Sequence, residues 1–347
     1  TVILPMGYGR DLGFISKGAG FDVMPLRTSA APYIAYGATL KKTGDRYVVA
    51  TTQEYGTMVE PNTGVKRPIV REATVEKFAA EPAFVEKDEI MAREELTSLW
   101  VPPNETGGQQ WGLTIDLNTC TGCNVCTIAC QAENNIPVVG KERVTNGREM
   151  HWIRLDRYFT GDENEPSAVV QPVACAQCEM APCENVCPVA ATTHSPEGLN
   201  DMAYNRCIGT RYCTNNCPFK VRRFNFFNYN KERQEKAPLE GMQHNPNVTV
   251  RMRGIVEKCT YCVQRINEAK IATKRQGYGV VADGAIVPAC AQACPSDAIL
   301  FGDVNDPNSR VSLSKKEPRN YELLRELNLH ARTSYLAKLR NPNRDLV

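Results

Sequence analysis

The sequence has no hydrophobic run approaching the roughly 18 residues that a membrane-crossing helix needs, so a soluble or peripheral chain is the expectation. It has no charge bias either: 41 Lys plus Arg stand against 39 Asp plus Glu, which signals no polyanion-binding surface. Its four histidines, His151, His194, His244 and His330, stand far apart and read as surface or packing residues rather than ligands. No nucleophile–base pair and no His-rich metal motif is present, so conversion of an organic substrate is expected to happen on another chain. There is no initiator Met and no signal-peptide pattern. Thr1-Val2-Ile3-Leu4-Pro5 reads as the middle of a strand, which points to a processed N-terminus or to the tail of a longer polypeptide. The first 119 residues also lack cysteine altogether.

Fifteen cysteines follow, and they are the informative feature. An odd count fits poorly with a pure disulfide framework. All of them fall in blocks of short internal spacing, the pattern of thiolates gathered as metal ligands in whichever compartment the protein occupies. Block one is Cys120-x2-Cys123-x2-Cys126-x3-Cys130, and block two is Cys175-x2-Cys178-x4-Cys183-x3-Cys187-Pro188. Block three, Cys207-Ile208-Gly209-Thr210-Arg211-Tyr212-Cys213-Thr214-Asn215-Asn216-Cys217-Pro218, has the cadence of a bacterial ferredoxin motif with Thr210 where the second cysteine should stand. Block four is split into Cys259-x2-Cys262 and, after 27 residues, Cys290-x3-Cys294-Pro295.

This rhythm has a physical cause. Cysteines three apart on a tight loop wrap one iron–sulfur cubane, while the fourth, at the start of the next turn, points to the neighbouring cluster. A zinc tetrahedron has no use for such a triple-plus-one pattern. Blocks two and three are separated by 19 residues, which suits a hairpin between paired motifs, and blocks one and four then pair around them, nesting one ferredoxin unit inside the other. The ligand sets that follow are Cys120, Cys123, Cys126 and Cys294; Cys130, Cys259, Cys262 and Cys290; Cys175, Cys178, Cys183 and Cys217. Cys187, Cys207 and Cys213 remain for a fourth cluster. With no thiol to spare, the iron facing Thr210 has no thiolate, and the favoured reading is one [3Fe–4S] cluster beside three [4Fe–4S] clusters. The alternative is a [4Fe–4S] cluster whose last iron carries water or the Thr210 hydroxyl. Cluster type and charge set the potential, and a one-electron centre of higher potential suits a donor such as quinol.

Around the blocks, Gly7-Tyr8-Gly9-Arg10 and Gly18-Ala19-Gly20-Phe21 read as turn glycines between short strands such as 46–50, since no phosphate-binding Gly motif is complete. Residues 56–110 read as a proline-punctuated connector with short helices at 74–80 and, capped by Asp88, at 88–100, broken by Pro102-Pro103-Asn104 through Gly107-Gly108. Trp111, Leu113, Ile115 and Leu117 alternate with smaller or polar residues as a strand leading into block one. Further strands are expected at 150–158, 248–252 and 299–301, and a helix at 320–329, with order ending near Asn343. The basic, aromatic segment Phe219-Lys220-Val221-Arg222-Arg223-Phe224-Asn225-Phe226-Phe227 directly follows Cys217-Pro218. There it is expected to exclude water from a cluster and offset its charge rather than stack on nucleic acid bases. For His194, in the loop between blocks two and three, a place near the odd cluster is the alternative to the surface or packing reading.

From residue 111 onward the four-residue gap in block two, the split fourth block and Cys217-Pro218-Phe219-Lys220-Val221-Arg222-Arg223-Phe224-Asn225 resemble the four-cluster ferredoxin-like subunits of the molybdopterin oxidoreductase family, such as those of polysulfide, dimethyl sulfoxide and nitrate reductases. The glycine turns, Pro25-Leu26-Arg27-Thr28 and Ile69-Val70-Arg71-Glu72-Ala73-Thr74 resemble the C-terminal end of a molybdopterin-enzyme domain. That fusion, together with Arg332-Thr333-Ser334-Tyr335-Leu336 and Leu339-Arg340-Asn341-Pro342-Asn343, is similar to the iron–sulfur subunit of alternative complex III.

The resemblance implies an α+β fold: residues 1–55 as the tail of a β-rich molybdopterin-oxidoreductase-like domain, 56–110 as an extended linker, 111–318 as tandem nested ferredoxin units, and 319–347 as a C-terminal helix and tail. It also implies an electron relay without molybdopterin, in a hetero-oligomer on the extracytoplasmic (periplasmic) face of a bacterial membrane. Its partners there would be a polysulfide-reductase-like integral membrane subunit that oxidises quinol, and multihaem and monohaem cytochrome c subunits. Rival readings are the electron-transfer subunit of a true molybdopterin reductase and an assembly module whose metals only hold the fold.

Overall fold

In the computed structural model, which describes residues 2–342 except 14, 57, 60, 88–96, 99–107, 162, 163 and 165, the N-terminal stretch carries little regular structure. Gly7, Gly9, Gly18 and Gly20 make turns at positive φ. The expected strands at 2–5 and 46–50 do not form: among the described residues neither segment pairs with another, and Ile3, Val48 and Val49 are exposed. Alternating apolar residues become a strand only where a neighbour takes their backbone N–H and C=O groups, and none does here. Further on, the chain does find partners. The Gln53 side chain accepts from Arg157 N at 2.9 Å and donates to Arg157 O at 3.1 Å, Glu54 pairs with Arg223 at 3.1 Å, and the Tyr55 hydroxyl donates to Pro218 O. Residues 53–55 are thereby strapped onto the cysteine-bearing part of the fold.

Regular pairing starts at β1 (Glu72–Thr74), which leads into the helix Val75–Ala80. Thr74 caps that helix, its hydroxyl accepting from Lys77 N at 3.1 Å, in keeping with the expectation for 74–80. The expected helix at 88–100 and the break that follows it fall almost wholly outside the described residues. β2 (Trp111–Asp116) forms as the alternation requires, yet it is buried on both faces through Ile115, because the helix Arg310–Lys315 packs on it and Leu113 and Ile115 line a cavity among the cysteine loops.

β3 (Arg154–Gly161) and β4 (Pro166–Val173) make an antiparallel hairpin. It starts at Arg154 rather than residue 150, where Met150 and Trp152 turn into the core. β5 (Thr192–His194) and β6 (Asn200–Met202) supply the hairpin expected between blocks two and three. β7 (Arg223–Phe224) pairs with β8 (Val256–Glu257), and β9 (Ile299–Asp303), β10 (Asn320–Tyr321), β11 (Thr333–Leu336) and β12 (Lys338–Arg340) complete the order.

The main sheet runs β10–β11–β2–β9, with β11 parallel to β2 and the other pairs antiparallel. β12 lies parallel to β1. The expected helix at 320–329 is therefore a correction: Tyr321 pairs with Tyr335 in the sheet, Leu324 and Asn328 take left-handed φ of 55° and 52°, and only the 3-10 turn Arg325–Leu327 is helical. Burial of Tyr321, Leu323 and Leu324 overrides the weak local helix preference. The strand expected at 248–252 is absent as well, because its backbone loops to bring Arg251 within 2.7 Å of Glu257 in the interior. The fold is thus mixed α and β, with short helices and hairpins packed around the cysteine loops. Among the described residues no helix is long and apolar enough to cross a membrane.

Candidate metal centres

The four cysteine blocks share one backbone device. Two residues after the first cysteine of each block the chain turns left-handed: Gly122 (φ 69°), Gln177 (φ 50°), Gly209 (φ 74°) and Tyr261 (φ 55°). Three residues after the last cysteine of blocks two, three and four it does so again, at Ala190 (φ 48°), Lys220 (φ 53°) and Asp297 (φ 50°). Non-glycine residues rarely take such angles. Alternating right- and left-handed residues turn successive N–H groups into a concave nest, the backbone form that receives phosphates and iron–sulfur clusters.

The N–H groups do converge on sulfur. Ala191 N donates to Cys187 Sγ at 3.2 Å, Val256 N to Cys207 at 3.5 Å, Tyr261 N to Cys259 at 3.5 Å, Ala289 N to Cys262 at 3.5 Å and Ala298 N to Cys294 at 3.4 Å. Against the upward push of burial, such donors hold the Cys187 and Cys294 thiols below their ordinary pKa.

The sulfurs fall into groups. Burial first, then the neighbouring Cys259, Cys262 and Cys290, drives the Cys130 thiol well up. These four line one apolar cavity with Ile153 and Ile299, and Asn134 reaches Cys130 Sγ at 3.6 Å. Cys178 is raised by burial and then by Cys175, Cys217 and Cys183. Cys126 is pushed up to about 11 by burial, then by Cys120 and Cys123, while Cys294 neighbours Cys120. Cys187, Cys207 and Cys213 remain, and the last sits on the helix Tyr212–Asn216, which packs against Pro182–Asn185 beside Cys183.

Thr210 stands exposed at its place in block three, as Cys123 does at the matching place in block one, whereas Cys178 and Cys262 are buried. Blocks one and three match in a further detail, with helices that start after left-handed Asn124 (φ 67°) and Arg211 (φ 63°). The loop lacking a cysteine has thus kept the full geometry of a cluster loop. A Cβ on Gly209 would lie 2.5 Å from Gly254 O at a φ that disfavours any side chain. Gly209→Val is expected to cost about 2–4 kcal/mol from strain and overpacking. It should also displace the block-three sulfurs, read as a lower thermal midpoint together with loss of iron.

Charged side chains complete the site. Arg222 Nη2 donates to Cys183 Sγ at 3.1 Å, and Lys258, fully buried, donates to Cys259 O at 3.0 Å. Arg222 belongs to the segment expected to offset cluster charge. Lys258 carried no signal, since a lysine before a cysteine is unremarkable until the fold buries it. Phe219 is buried, and Phe224 and Phe226 stack edge to face at 4.8 Å under the Arg211 guanidinium at 5.2 and 5.5 Å, so the aromatic segment is covered by the chain's own cations. His194 Nδ1 bonds Glu184 at 2.8 Å, between Cys183 and Cys187 in sequence. His330 bonds Asn328 at 3.0 Å, and its backbone O accepts at 3.1 Å from the N–H of Glu179, the residue after Cys178.

Among the described residues no three His, Cys or acidic side chains converge as one ion would require. Zinc would need donors at about 2.0–2.3 Å from a single point, whereas cluster ligands bind separate irons and stand further apart. Buried thiols that repel one another as thiolates, with N–H groups aimed at them, form a donor set suited to a polynuclear cationic cofactor. Binding it would release their protons. The residues present fit iron–sulfur clusters.

Comparison with known proteins agrees. Residues 119–191 match the family model of a 4Fe-4S dicluster domain. The chain is 38% identical over 235 residues to the menaquinone reductase iron-sulfur cluster-binding subunit of Nitratidesulfovibrio vulgaris, covering 66% of this chain and 89% of that protein. It is 33% identical to a putative dimethyl sulfoxide reductase iron-sulfur subunit of Halobacterium salinarum, covering 67% and 81%, respectively. A third relative is the Hdr-like menaquinol oxidoreductase iron-sulfur subunit 1 of Archaeoglobus fulgidus, 33% identical with 60% and 76% covered.

Proposed function

The chain belongs to the family of iron–sulfur subunits of menaquinone- and dimethyl sulfoxide-reductase-type complexes, and from that premise we propose that it is the electron relay of an alternative complex III, oxidising quinol through a membrane partner. The relay holds three [4Fe–4S] clusters, on Cys120, Cys123, Cys126 and Cys294; on Cys130, Cys259, Cys262 and Cys290; and on Cys175, Cys178, Cys183 and Cys217. A [3Fe–4S] cluster is held by Cys187, Cys207 and Cys213. One observation carries the last assignment: the block-three loop keeps the left-handed turns of its three sister loops while presenting Thr210 instead of a thiol.

When bound, the clusters supply one-electron carriers, and the protein's own part is to hold them, exclude water and set their charge environment. At the second-cysteine position of the four blocks, Cys123 and Thr210 are exposed, whereas Cys178 and Cys262 are buried. Electrons enter beside Thr210 from a polysulfide-reductase-like membrane subunit and leave beside Cys123 toward cytochrome c subunits. Residues 1–55 are the end of a molybdopterin-enzyme-like domain that carries no cofactor. The complex lies on the extracytoplasmic face of the membrane.

Metal analysis of the purified chain is expected to give about 15 iron atoms and almost no zinc. Zinc in place of iron would leave only the assembly-module reading. The second reading, a subunit serving a molybdopterin reductase, is supported by the dimethyl sulfoxide reductase relative. The isolated complex separates the two: quinol-dependent reduction of cytochrome c favours the first, and reduction of a sulfoxide or polysulfide without cytochrome favours the second.

A further inference from the structure

We propose that Arg222 sets the reduction potential of the cluster held by Cys175, Cys178, Cys183 and Cys217, through its hydrogen bond to the Cys183 sulfur, and couples that cluster to its neighbour at Cys187, Cys207 and Cys213. The inference rests on the iron–sulfur reading above and goes beyond it by assigning control of one carrier to one side chain.

Three other buried arginines of this fold have carboxylate partners. Arg154 pairs with Asp156 at 2.9 Å, Arg223 with Glu149 at 2.6 Å and Arg251 with Glu257 at 2.7 Å. Each of these guanidinium groups has a carboxylate, as the cost of an uncompensated interior charge demands. Arg222 is 2% exposed and has none among the described residues. Its Nη1 donates to Thr192 Oγ1 at 3.0 Å and its Nη2 to Asn200 Oδ1 at 2.9 Å, both neutral acceptors on the β5–β6 hairpin. The other acceptor of Nη2 is Cys183 Sγ at 3.1 Å. The negative charge that balances this cation must come from sulfur.

The second set is close as well: Thr192, the acceptor of Nη1, directly follows Ala191, whose N–H donates to Cys187 Sγ at 3.2 Å. Cys187 belongs to the three-cysteine set, so one fixed charge lies close to two ligand sets. The hairpin also fixes the side chain's aim, since Asn200 is itself held by its backbone N–H to Gln177 Oε1 at 2.8 Å and by its amide to Glu184.

Reduction adds one electron and makes a cluster more negative by one. A fixed cation donating to a ligand sulfur favours the reduced form and raises the potential, a recognised influence of hydrogen bonding on these centres. Arg222→Gln removes the charge. It is expected to shift the reduction equilibrium of the cluster at Cys175, Cys178, Cys183 and Cys217 at least tenfold toward the oxidised form, about 59 mV downward for one electron. The three-cysteine cluster should move the same way by less, and the clusters on Cys120 and Cys130 should not move. Arg222→Lys keeps the charge but loses the planar fork, and its shift should fall between those of wild type and the Gln variant.

The measurement is a dithionite redox titration of the loaded protein followed by low-temperature EPR. A merely structural role would lower iron content or thermal midpoint and leave the potentials in place. Unchanged potentials in a fully loaded Arg222→Gln protein overturn the proposal. Should that variant load no iron, Thr192→Val decides, since it keeps the arginine but frees its Nη1 end. A downward shift of about threefold is expected of it, and none at all overturns the proposal. A wild-type chain without any four-iron signal would instead sink the underlying iron–sulfur reading.

Discussion

Thr210→Cys is expected to convert the three-iron EPR signal that the proposed cluster assignment gives the oxidised protein into the signal of a four-iron cluster that appears only on reduction. The backbone is already set for it. Gly209 at φ 74° and Arg211 at φ 63° reproduce the flanks of Cys123, where Gly122 stands at 69° and Asn124 at 67°. A thiol at residue 210 would therefore leave the loop as Cys123 Sγ leaves its own. The exchange adds one iron and one thiolate, which changes both the cluster type and its charge, the two largest influences on its potential within a range of roughly −700 to +450 mV. In the proposed relay, electron entry from quinol should then slow as the potential of the block-three cluster falls. Persistence of the three-iron signal in a fully loaded variant would show that Thr210 does not occupy the fourth ligand position.

Glu257→Ala is expected to have the largest effect on stability. The Glu257 carboxylate is completely buried and accepts from Asn225 Nδ2 at 2.6 Å, Arg251 Nη2 at 2.7 Å and Trp152 Nε1 at 3.0 Å. Arg251 in turn lies over the rings of Trp152 and Tyr204, at 5.2 and 5.5 Å. Truncation leaves a buried guanidinium without its counter-charge, a loss of about 3–5 kcal/mol. Because β8 also carries the Val256 N–H bonded to Cys207 Sγ, iron at the block-three loop should be lost first. Thermal melting of the loaded protein with iron analysis of the soluble fraction checks both points. Glu257→Gln, which keeps one acceptor and the shape, should lose less than half as much. Equal losses in the two variants would show that charge is not what the site needs.

The cluster-binding chemistry was legible because it rests on local spacing. Cysteines three apart need a tight loop whatever surrounds them, and the match of residues 119–191 to a 4Fe-4S dicluster domain bears out that coarse reading. β2 and β9 were legible for a related reason, since their apolar residues are close in sequence. What escaped was decided by distant partners. Tyr321, Leu323 and Leu324 have a spacing that fits a helix, and only the presence of β11 turns the first of them into a strand residue. Val248, Thr249 and Val250 have strand-forming side chains, but the ion pair of Arg251 with a residue six positions later bends the segment instead. β11 itself hid behind polar Thr333 and Ser334, which are buried in the centre of the sheet. The bond between Arg222 and Cys183 joins residues 39 apart through a hairpin that no spacing rule reports.

The position of β11 has a consequence for biogenesis. This strand inserts between β10 and β2, while β12 closes against β1, so two strands from early in the chain wait for its last part before they are covered. During synthesis at about 5–20 residues per second, the block-one thiols emerge from the ribosome well before the sheet that shelters them can close. The block-one loop therefore gains the cover of the completed sheet only once residues 333–340 have been made and have docked.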